Sequence, residues 1–178
     1  MQDLEKLKYP IGKFVLPDDY SNDQIEDWID QINLLPSELS TLLSEIPDDE
    51  DPSWQKVYRP GSWTLLQLIH HLADSHMNSF IRFKQALTQD NPTIMAYDEN
   101  AWVNTPDIEE TPADLSLMIL AGVHFRWTVL LENMEPSDWT RTFFHPEHQT
   151  KFELRQALAM YAWHGQHHLA HVKLALGV

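Results

Sequence analysis

The chain has 178 residues, 43% hydrophobic and 11% aromatic, which suits one domain (residues 1–178) with an ordinary core and argues against disorder. Its formal net charge of -15 repels nucleic acid and anionic membranes, so neither is expected as a partner. The sequence contains no cysteine, which excludes disulfides, thiolate ligands and a cysteine nucleophile.

Two helices are predicted in the first half of the chain. The first runs from about Asn22 to Ile46, because a capping-box pattern begins at Ser21, and a kink or break is expected at Pro36. The second runs from about Trp63 to Thr88, with Ser62 as its N-cap. This second helix is apolar on nearly all sides, which is typical of a central, buried helix.

Two further helices are predicted in the second half. One runs from about Pro112 to Met134, where Thr111 is a suitable N-cap and proline fits the first turn. The other runs from about Lys151 to Leu176, with a capping box beginning at Thr150 and Gly177 as its stop. Four long amphipathic helices with few strand signals indicate an all-α four-helix bundle.

The connections bear on the order of the helices. The segment from Gln89 to Thr111 is long enough to cross the bundle, so an up-down-down-up topology is possible. A short extended piece is expected between Thr140 and Thr150. The N-terminus lacks a signal-peptide core and no stretch reaches about 18 uninterrupted apolar residues, so a cytoplasmic protein is expected.

The histidines are concentrated in two short runs, one on the second predicted helix and one on the fourth. Neutral imidazole nitrogen is a preferred ligand of zinc and similar ions. Two ligands on one helix must share a face, which the spacing i, i+4 achieves. The fourth helix offers two such pairs, His164 with His168 and His167 with His171.

The apolar stripe of the fourth helix selects between these pairs. With His164 at zero on a helical wheel, the apolar side chains centre near about 80° and His168 lies near about 40°. His167 lies near about -60°, away from the stripe, and His171 is borderline near about -20°. The inward pair is therefore predicted to be His164 and His168.

A polar strip interrupts the apolar surface of the second helix. It consists of His71, Ser75, Asn78 and Arg82, with Asp74 beside it, whereas the other two histidines of this helix point elsewhere on the wheel. A polar strip on a buried helix suggests a cavity, so His71 is the candidate third ligand. The strip could instead be the solvated side of the helix, and a lone helical histidine is more often structural than metal-binding.

Other residues of this strip are candidate substrate-binding groups. Arg82 could bind an anionic group of a substrate, because guanidinium pairs with carboxylate, or it could form an ordinary ion pair with an acidic side chain. Asn78 could donate a hydrogen bond to substrate or water. Asp74 could orient an imidazole or hold a water. No catalytic general base is identified.

Several segments resemble the YfiT-like metal-dependent hydrolases of the DinB superfamily. In chain order they are YPIGKF near the start, HHLADSHMNSFIRFK (70–84), HFRWTVLL (124–131), FFHPE (143–147) and YAWHGQHHLAHV (161–172). These segments cover nearly the whole chain, and the histidine-containing ones are the most specific. The resemblance implies a four-helix bundle with up-down-down-up topology, a homodimer, and one zinc or nickel ion held by three histidines.

Carried over position by position, the implied ligands are His71, His164 and His168, the same three that the helical wheel favours. Three protein ligands leave a coordination position for water or substrate, which favours a metal-dependent hydrolase of small molecules. Some members of the superfamily resemble S-transferases that use a low-molecular-weight thiol of the bacillithiol type, which is the alternative reaction. A non-catalytic metal-binding stress protein is the alternative of another class, and it gains if His171 or a carboxylate closes the site.

The fourth helix also has a second apolar side. It carries Met160, Trp163, Ala170 and Leu174. In a bundle helix such a side is either further core or the interface of the homodimer that the resemblance implies.

Overall fold

In the computed structural model, which describes residues 4–178, four long helices pack into a bundle and confirm the predicted all-α fold. The long helices are α2, α3, α6 and α7, and short elements fill the connections between them. In chain order the elements are α1 (Leu4–Lys8), α2 (Asn22–Leu43), α3 (Leu65–Thr88), α4 (Glu99–Trp102), α5 (Pro106–Glu110), α6 (Ala113–Glu132), β1 (Thr142–His145), β2 (Thr150–Glu153) and α7 (Leu154–Leu176).

The first two long helices begin with reciprocal capping boxes. At the start of α2 the Ser21 side chain accepts the backbone N–H of Gln24, and the Gln24 side chain accepts that of Ser21, as predicted. In α3 the box is formed by Thr64 and Gln67. The predicted N-cap Ser62 is therefore wrong by two residues, because its hydroxyl closes the preceding turn instead.

The other two long helices begin later than predicted. Thr111 does not cap α6, since Pro112 takes that position with an extended backbone (φ -57°, ψ 141°). The residues expected to open α7 pair with β1 as the antiparallel strand β2, which confirms the expected extended piece. A capping box of Glu153 and Gln156 therefore replaces the one predicted at Thr150. Gly177 ends α7 in the left-handed conformation, with φ 80°.

Contacts between the long helices define their relative directions. His70 Nδ1 lies 2.7 Å from Ser116 Oγ near the starts of α3 and α6, and Phe83 packs on Trp127 toward their ends. These two neighbouring helices therefore run the same way. His71 of α3 contacts His164 of α7, whereas Arg82, further along α3, contacts Tyr161, which comes earlier in α7. The helices α3 and α7 are therefore antiparallel. The long connection 89–112, with α4 and α5, joins two parallel helices, as a short loop could not.

Of the kink or break expected at Pro36, the break does not occur, because α2 continues through this residue. Proline has no N–H, so the carbonyl of Ile32, four residues earlier, has no donor within the helix. That carbonyl accepts a hydrogen bond from His124 Nδ1 of α6 instead. Pro36 is buried, and the hydrogen bond missing within α2 is replaced by one from a neighbouring helix.

The helix α6 has the most apolar exposed surface of the long helices. Within residues 4–178 it is the one helix that meets the length and composition of a membrane span, a test that bundle helices of soluble proteins also pass. It packs on α2 and α3. A cytoplasmic location and the lack of a membrane partner stay predictions. Its exposed large apolar side chains are Leu115, Met118, Ile119, Phe125 and Val129.

Gly165 allows α7 and α2 to approach closely, which can be tested with two glycine variants. A Cβ at Gly165 would lie 2.8 Å from Cδ2 of the buried Leu35, whereas a Cβ at Gly122 of α6 would meet no atom within 4 Å. Both alanine variants gain about 1 kcal/mol of helix propensity. Because overpacking costs about 1–3 kcal/mol, Gly165→Ala should be less stable than Gly122→Ala by that amount in urea unfolding. Equal stability of the two variants would contradict the close packing.

Candidate metal centre

Three histidines from two helices meet inside the bundle. His71 of α3 faces His164 and His168 of α7, and one ring nitrogen of each lies within 4.8 Å of the other two. The Nε2 atoms of His71 and His164 are 3.3 Å apart. A metal ion bonded to imidazole at about 2.0–2.1 Å would bridge nitrogens at such separations. The structure thus brings together the three residues selected from the sequence, in an arrangement that fits one ion.

Burial keeps these three rings neutral. Desolvation lowers the pKa of His71 to about 4. Desolvation, with repulsion from neighbouring imidazoles in the same direction, holds the pKa values of His164 and His168 well below the ordinary value. Neutral imidazole carries the lone pair that a metal requires, so the group is in its ligand form at pH 7.

A cavity of about 360 Å³ opens on the three histidines. The indole of Trp63 covers part of it, with its ring centroid 4.6 Å from that of His71 and 6.3 Å from that of His168. A larger cavity of about 570 Å³ lies between the start of α2 and the end of α6, and no histidine lines it. A third cavity, of about 410 Å³, is lined by His167, His168 and His171. The 360 Å³ cavity is the candidate site, because it is lined by all three of the histidines selected from the sequence.

Of the two predicted substrate-binding residues, only Arg82 lines this cavity. Its guanidinium donates to the Tyr161 hydroxyl at 3.2 Å and to the Met95 carbonyl at 3.0 Å. In residues 4–178 no carboxylate forms an ion pair with it, so the alternative of an ordinary ion pair is not observed. Asn78 does not line the cavity, since its amide donates to the Asp74 carbonyl of the same helix at 2.9 Å.

Of the two roles considered for Asp74, orienting an imidazole is not observed. Within the described part of the chain its carboxylate makes no hydrogen bond to a histidine, and burial together with the nearby Asp107 raises its pKa to about 6. The position is beside the polar strip on the wheel, but its side chain lies outside the cavity lining. The Nδ1 atoms of His164 and His168 are held by other histidines.

Further histidines, which the sequence analysis missed, lie behind the candidate ligands. His76 was predicted to point elsewhere, yet its Nε2 lies 3.0 Å from His164 Nδ1, and its Nδ1 lies 2.9 Å from His124 Nε2. Because α3 is buried on most sides, the wheel alone could not assign His76 to the face that meets α7. The signal that could have found His124 is that it is the only histidine of a mainly apolar α6.

His171 lies behind His168 rather than in the cavity. Its Nδ1 is 3.4 Å from His168 Nδ1, and its ring stacks on Tyr58 with centroids 3.8 Å apart. Ring nitrogens of His167, His168 and His171 also lie within 4.8 Å of one another, so His168 belongs to two histidine groups. His171 is therefore not placed to close the first group as a fourth ligand.

The connecting segments complete the cavity wall, and the sequence analysis did not assign them to the site. They contribute the lining residues Tyr97, Glu99, His145, Glu147 and His148. Partial burial of the Tyr97 phenol raises its pKa to about 12, and partial burial of His145 lowers its pKa. The FFHPE segment, one of those that carry the family resemblance, was the available signal for two of these residues.

Comparisons with known proteins agree over nearly the full chain. Residues 31–172 match the model of the DinB superfamily. Proteins of Bacillus mycoides and of Bacillus thuringiensis subsp. konkukian, both named as candidate metal-dependent hydrolases, are 44% identical over 169 residues, 95% of each chain. The solved structure of YfiT from Bacillus subtilis has a TM-score of 0.89 and 38% identity, covering 97% of this chain and 98% of its own. It is described as a candidate metal-dependent hydrolase with an unusual four-helix bundle topology.

The depressed histidine pKa values predict a loss of stability in mild acid. His71 and His124 have pKa values of about 4 in the fold, below the value of about 6.5 in an unfolded chain. Between these two values the unfolded chain binds protons that the folded protein does not bind. The contribution of the two neutral histidines to folding stability is therefore complete above about pH 6.5 and is lost as the pH falls toward 4. The Tm of metal-free protein should decrease from pH 7.5 to pH 5. His71→Gln should weaken this dependence and His148→Gln, at an exposed position, should not; a Tm independent of pH would contradict the assignment.

Proposed function

The chain belongs to the DinB superfamily, and from this membership and the histidine cluster we propose that it is a metal-dependent hydrolase of small molecules. The proposed cofactor is one divalent transition-metal ion per chain, zinc or nickel, held by His71, His164 and His168. The observation that carries the proposal is the convergence of three neutral imidazoles, from two helices, on one cavity. The names of the relatives support the same reaction class.

The donor set limits the kind of ion. Three imidazole nitrogens suit zinc, nickel and neighbouring transition metals, whereas magnesium and calcium prefer oxygen ligands. Structural zinc sites usually have four protein ligands, and a three-histidine set is typical of catalytic sites that keep one position open. When bound, such an ion acts as a Lewis acid toward a substrate oxygen. The cavity lined by the three histidines would give a small substrate access to an ion held there.

The residues around the cavity favour a small substrate with an anionic group. Arg82 is buried, has no carboxylate partner in the described chain, and keeps an unpartnered Nε. A guanidinium in this state can bind a substrate carboxylate through paired hydrogen bonds. The Trp63 ring over the histidines limits access of water to them. His145 is neutral at pH 7 because burial lowers its pKa, so it can accept a proton at the cavity wall.

Hydrolysis should depend on the metal and on its proposed ligands. Protein loaded with zinc or nickel should cleave members of a panel of small esters and amides, and metal-free protein should not. His71→Gln and His168→Gln should each lower metal affinity and reduce kcat/KM by at least about 100-fold, because an open three-ligand site cannot lose one ligand without loss of the ion. Bound metal is measured by elemental analysis of the same samples.

Other outcomes of this experiment select other functions. Conjugation of an electrophile with a low-molecular-weight thiol of the bacillithiol type, without cleavage of esters or amides, would replace the hydrolase by an S-transferase. No turnover in either assay, with metal removal lowering only the Tm, would indicate a non-catalytic metal-binding protein.

The proposed anion-binding role of Arg82 has a matched control one helical turn away. Arg82→Met should raise KM for carboxylate-bearing substrates by about 10–100-fold, because a charge-assisted hydrogen bond is worth about 1.5–3 kcal/mol. Asn78→Ala should change KM by less than about 2-fold, since its amide binds only its own helix. Similar KM values for both variants would contradict the assignment of Arg82.

We further propose that the protein is a homodimer that buries the exposed face of α6. Phe125 is 70% exposed and Met118 61% exposed, and such contiguous apolar surface is typical of a protein interface. The second apolar side of α7, considered for this role from the sequence, is covered in part by the N-terminal segment. There Trp163 packs on Phe14 and donates to the Gly12 carbonyl at 3.3 Å.

The dimer is tested by the mass in solution. Wild-type protein should sediment as a dimer, and Phe125→Glu should sediment as a monomer, because a carboxylate at the centre of an apolar interface is strongly unfavourable. Val15→Glu is the control, since Val15 is also apolar and is 79% exposed, and its neighbour Phe14 packs on Trp163 of α7. A monomeric wild-type protein would refute this part of the proposal.

A further inference from the structure

We infer that two relays of hydrogen-bonded histidines, each ending on a main-chain carbonyl, fix the tautomers of His164 and His168 so that both direct Nε2 at the metal. The long relay runs from His164 through His76 and His124 to the Ile32 carbonyl. The short relay runs from His168 through His171 to the Lys8 carbonyl. The inference rests on the proposed metal site and assigns positioning roles to three histidines outside it.

The long relay leaves no choice of tautomer. A neutral imidazole has one N–H donor and one acceptor nitrogen, and a carbonyl can only accept. His124 Nδ1, which contacts the Ile32 carbonyl, must therefore carry its proton, and His124 Nε2 is an acceptor. His76 Nδ1, 2.9 Å away, must then donate, which makes His76 Nε2 an acceptor. His164 Nδ1, 3.0 Å from that nitrogen, must donate in turn, and the lone pair of His164 remains on Nε2.

The surroundings of this relay exclude competing partners. His76 is 0% exposed and His124 is 1% exposed, so water does not offer an alternative hydrogen bond to either ring. The freed lone pair of His164 lies on the side of His71, whose Nε2 is 3.3 Å away. The direction imposed at Ile32 is therefore transmitted through three rings to the metal-facing nitrogen.

The short relay follows the same logic. His171 Nε2 lies 3.2 Å from the Lys8 carbonyl and must donate to it, so His171 Nδ1 is an acceptor. His168 Nδ1, 3.4 Å from His171 Nδ1, is then the donor, which leaves the lone pair of His168 on Nε2. Stacking on Tyr58, at 15° between the planes, holds the His171 ring in this orientation.

Both terminal carbonyls are available because a helix does not use them. Pro36 has no N–H, so it leaves the Ile32 carbonyl of α2 without its usual donor. Lys8 is the last residue of α1, where carbonyls have no donor further along the helix. A main-chain carbonyl cannot rotate into a donor as a hydroxyl or water can, so it sets the direction of each relay permanently.

The relays also account for the second histidine group. His167, His168 and His171 have the spacing of a separate metal site, but His168 belongs to both groups. In the short relay His168 Nδ1 is protonated toward His171, and His171 serves the first site as an outer partner. Outer partners of this kind usually change metal affinity by about 10–100-fold when removed. One ion per chain is therefore expected.

Tautomers are read directly from long-range ¹H–¹⁵N spectra of histidine-labelled, metal-free protein at pH 7.5. The expected result is Nδ1–H for His164, His76, His124 and His168, and Nε2–H for His171. Because free neutral histidine favours Nε2–H, four Nδ1–H rings would not arise by default. Nε2–H at His164 or His76 would overturn the long relay. This measurement needs neither metal nor activity, so its failure is distinguishable from failure of the proposed hydrolase.

Variants test the effect on the metal. His124→Phe removes the acceptor of His76, so His164 should shift toward Nε2–H and zinc affinity by calorimetry should fall about 10–100-fold, although His71, His164 and His168 are unchanged. If His124→Phe does not fold, Pro36→Ala serves the same purpose, since its restored N–H competes for the Ile32 carbonyl. Pro36→Ala should weaken zinc binding without lowering the Tm, a pattern that a purely structural role would not produce.

The test also needs a control variant on α2 and a measurement of the number of zinc ions bound per chain. Ser40→Ala, at an exposed position on α2, should leave the tautomers of His164 and His168 and the zinc affinity unchanged. Unchanged zinc affinity in His124→Phe and Pro36→Ala would overturn the positioning role of the long relay. Two zinc ions per wild-type chain, reduced to one by His167→Gln, would overturn the short relay and establish a second site.

Discussion

The burial of neutral histidine rings is the constraint on which the interior of this bundle depends. A buried imidazole must lose its charge and must still place one N–H on an acceptor and offer one lone pair to a donor. In this protein the rings largely satisfy one another, and the chains of rings end on main-chain carbonyls. The Nε2 atoms of His164 and His168 lie outside these chains, so the pairing that satisfies the buried rings also leaves the proposed metal-binding nitrogens available.

The main-chain carbonyl that accepts the hydrogen bond from His124 is made available at some cost in the stability of α2. A proline inside a helix costs about 3 kcal/mol or more, yet α2 is unbroken at Pro36 and uses the freed Ile32 carbonyl to hold His124 of α6. The parallel arrangement of α3 and α6 is what brings His124 beside His76, and the long connection between these helices makes that arrangement possible. Gly165 contributes by letting α2 approach α7 next to the candidate ligands.

The candidate site combines histidines of the helical interior with a wall formed largely by connecting segments. The three clustered imidazoles come from α3 and α7, whereas much of the cavity wall comes from the connecting segments around α4 and the β1–β2 hairpin. In this chain the candidate metal ligands therefore lie on the helices, and the connections shape the space beside them. Arg82 lies between these two parts, because it is on α3 and donates to the carbonyl of Met95 in the connection.

The sequence by itself determined the all-α bundle, the inward pair His164 and His168, and the candidacy of His71. The reason is that the angle between residues on one helix is a property of the helix, so an apolar stripe orients the whole face. Only the tertiary structure decided which helix faces which. Assignment of His76 and His124 to the rear of the site, and the separation of Arg82 from Asn78, depend on contacts between helices. On a helix that is apolar nearly all round, periodicity contains no information about its neighbours.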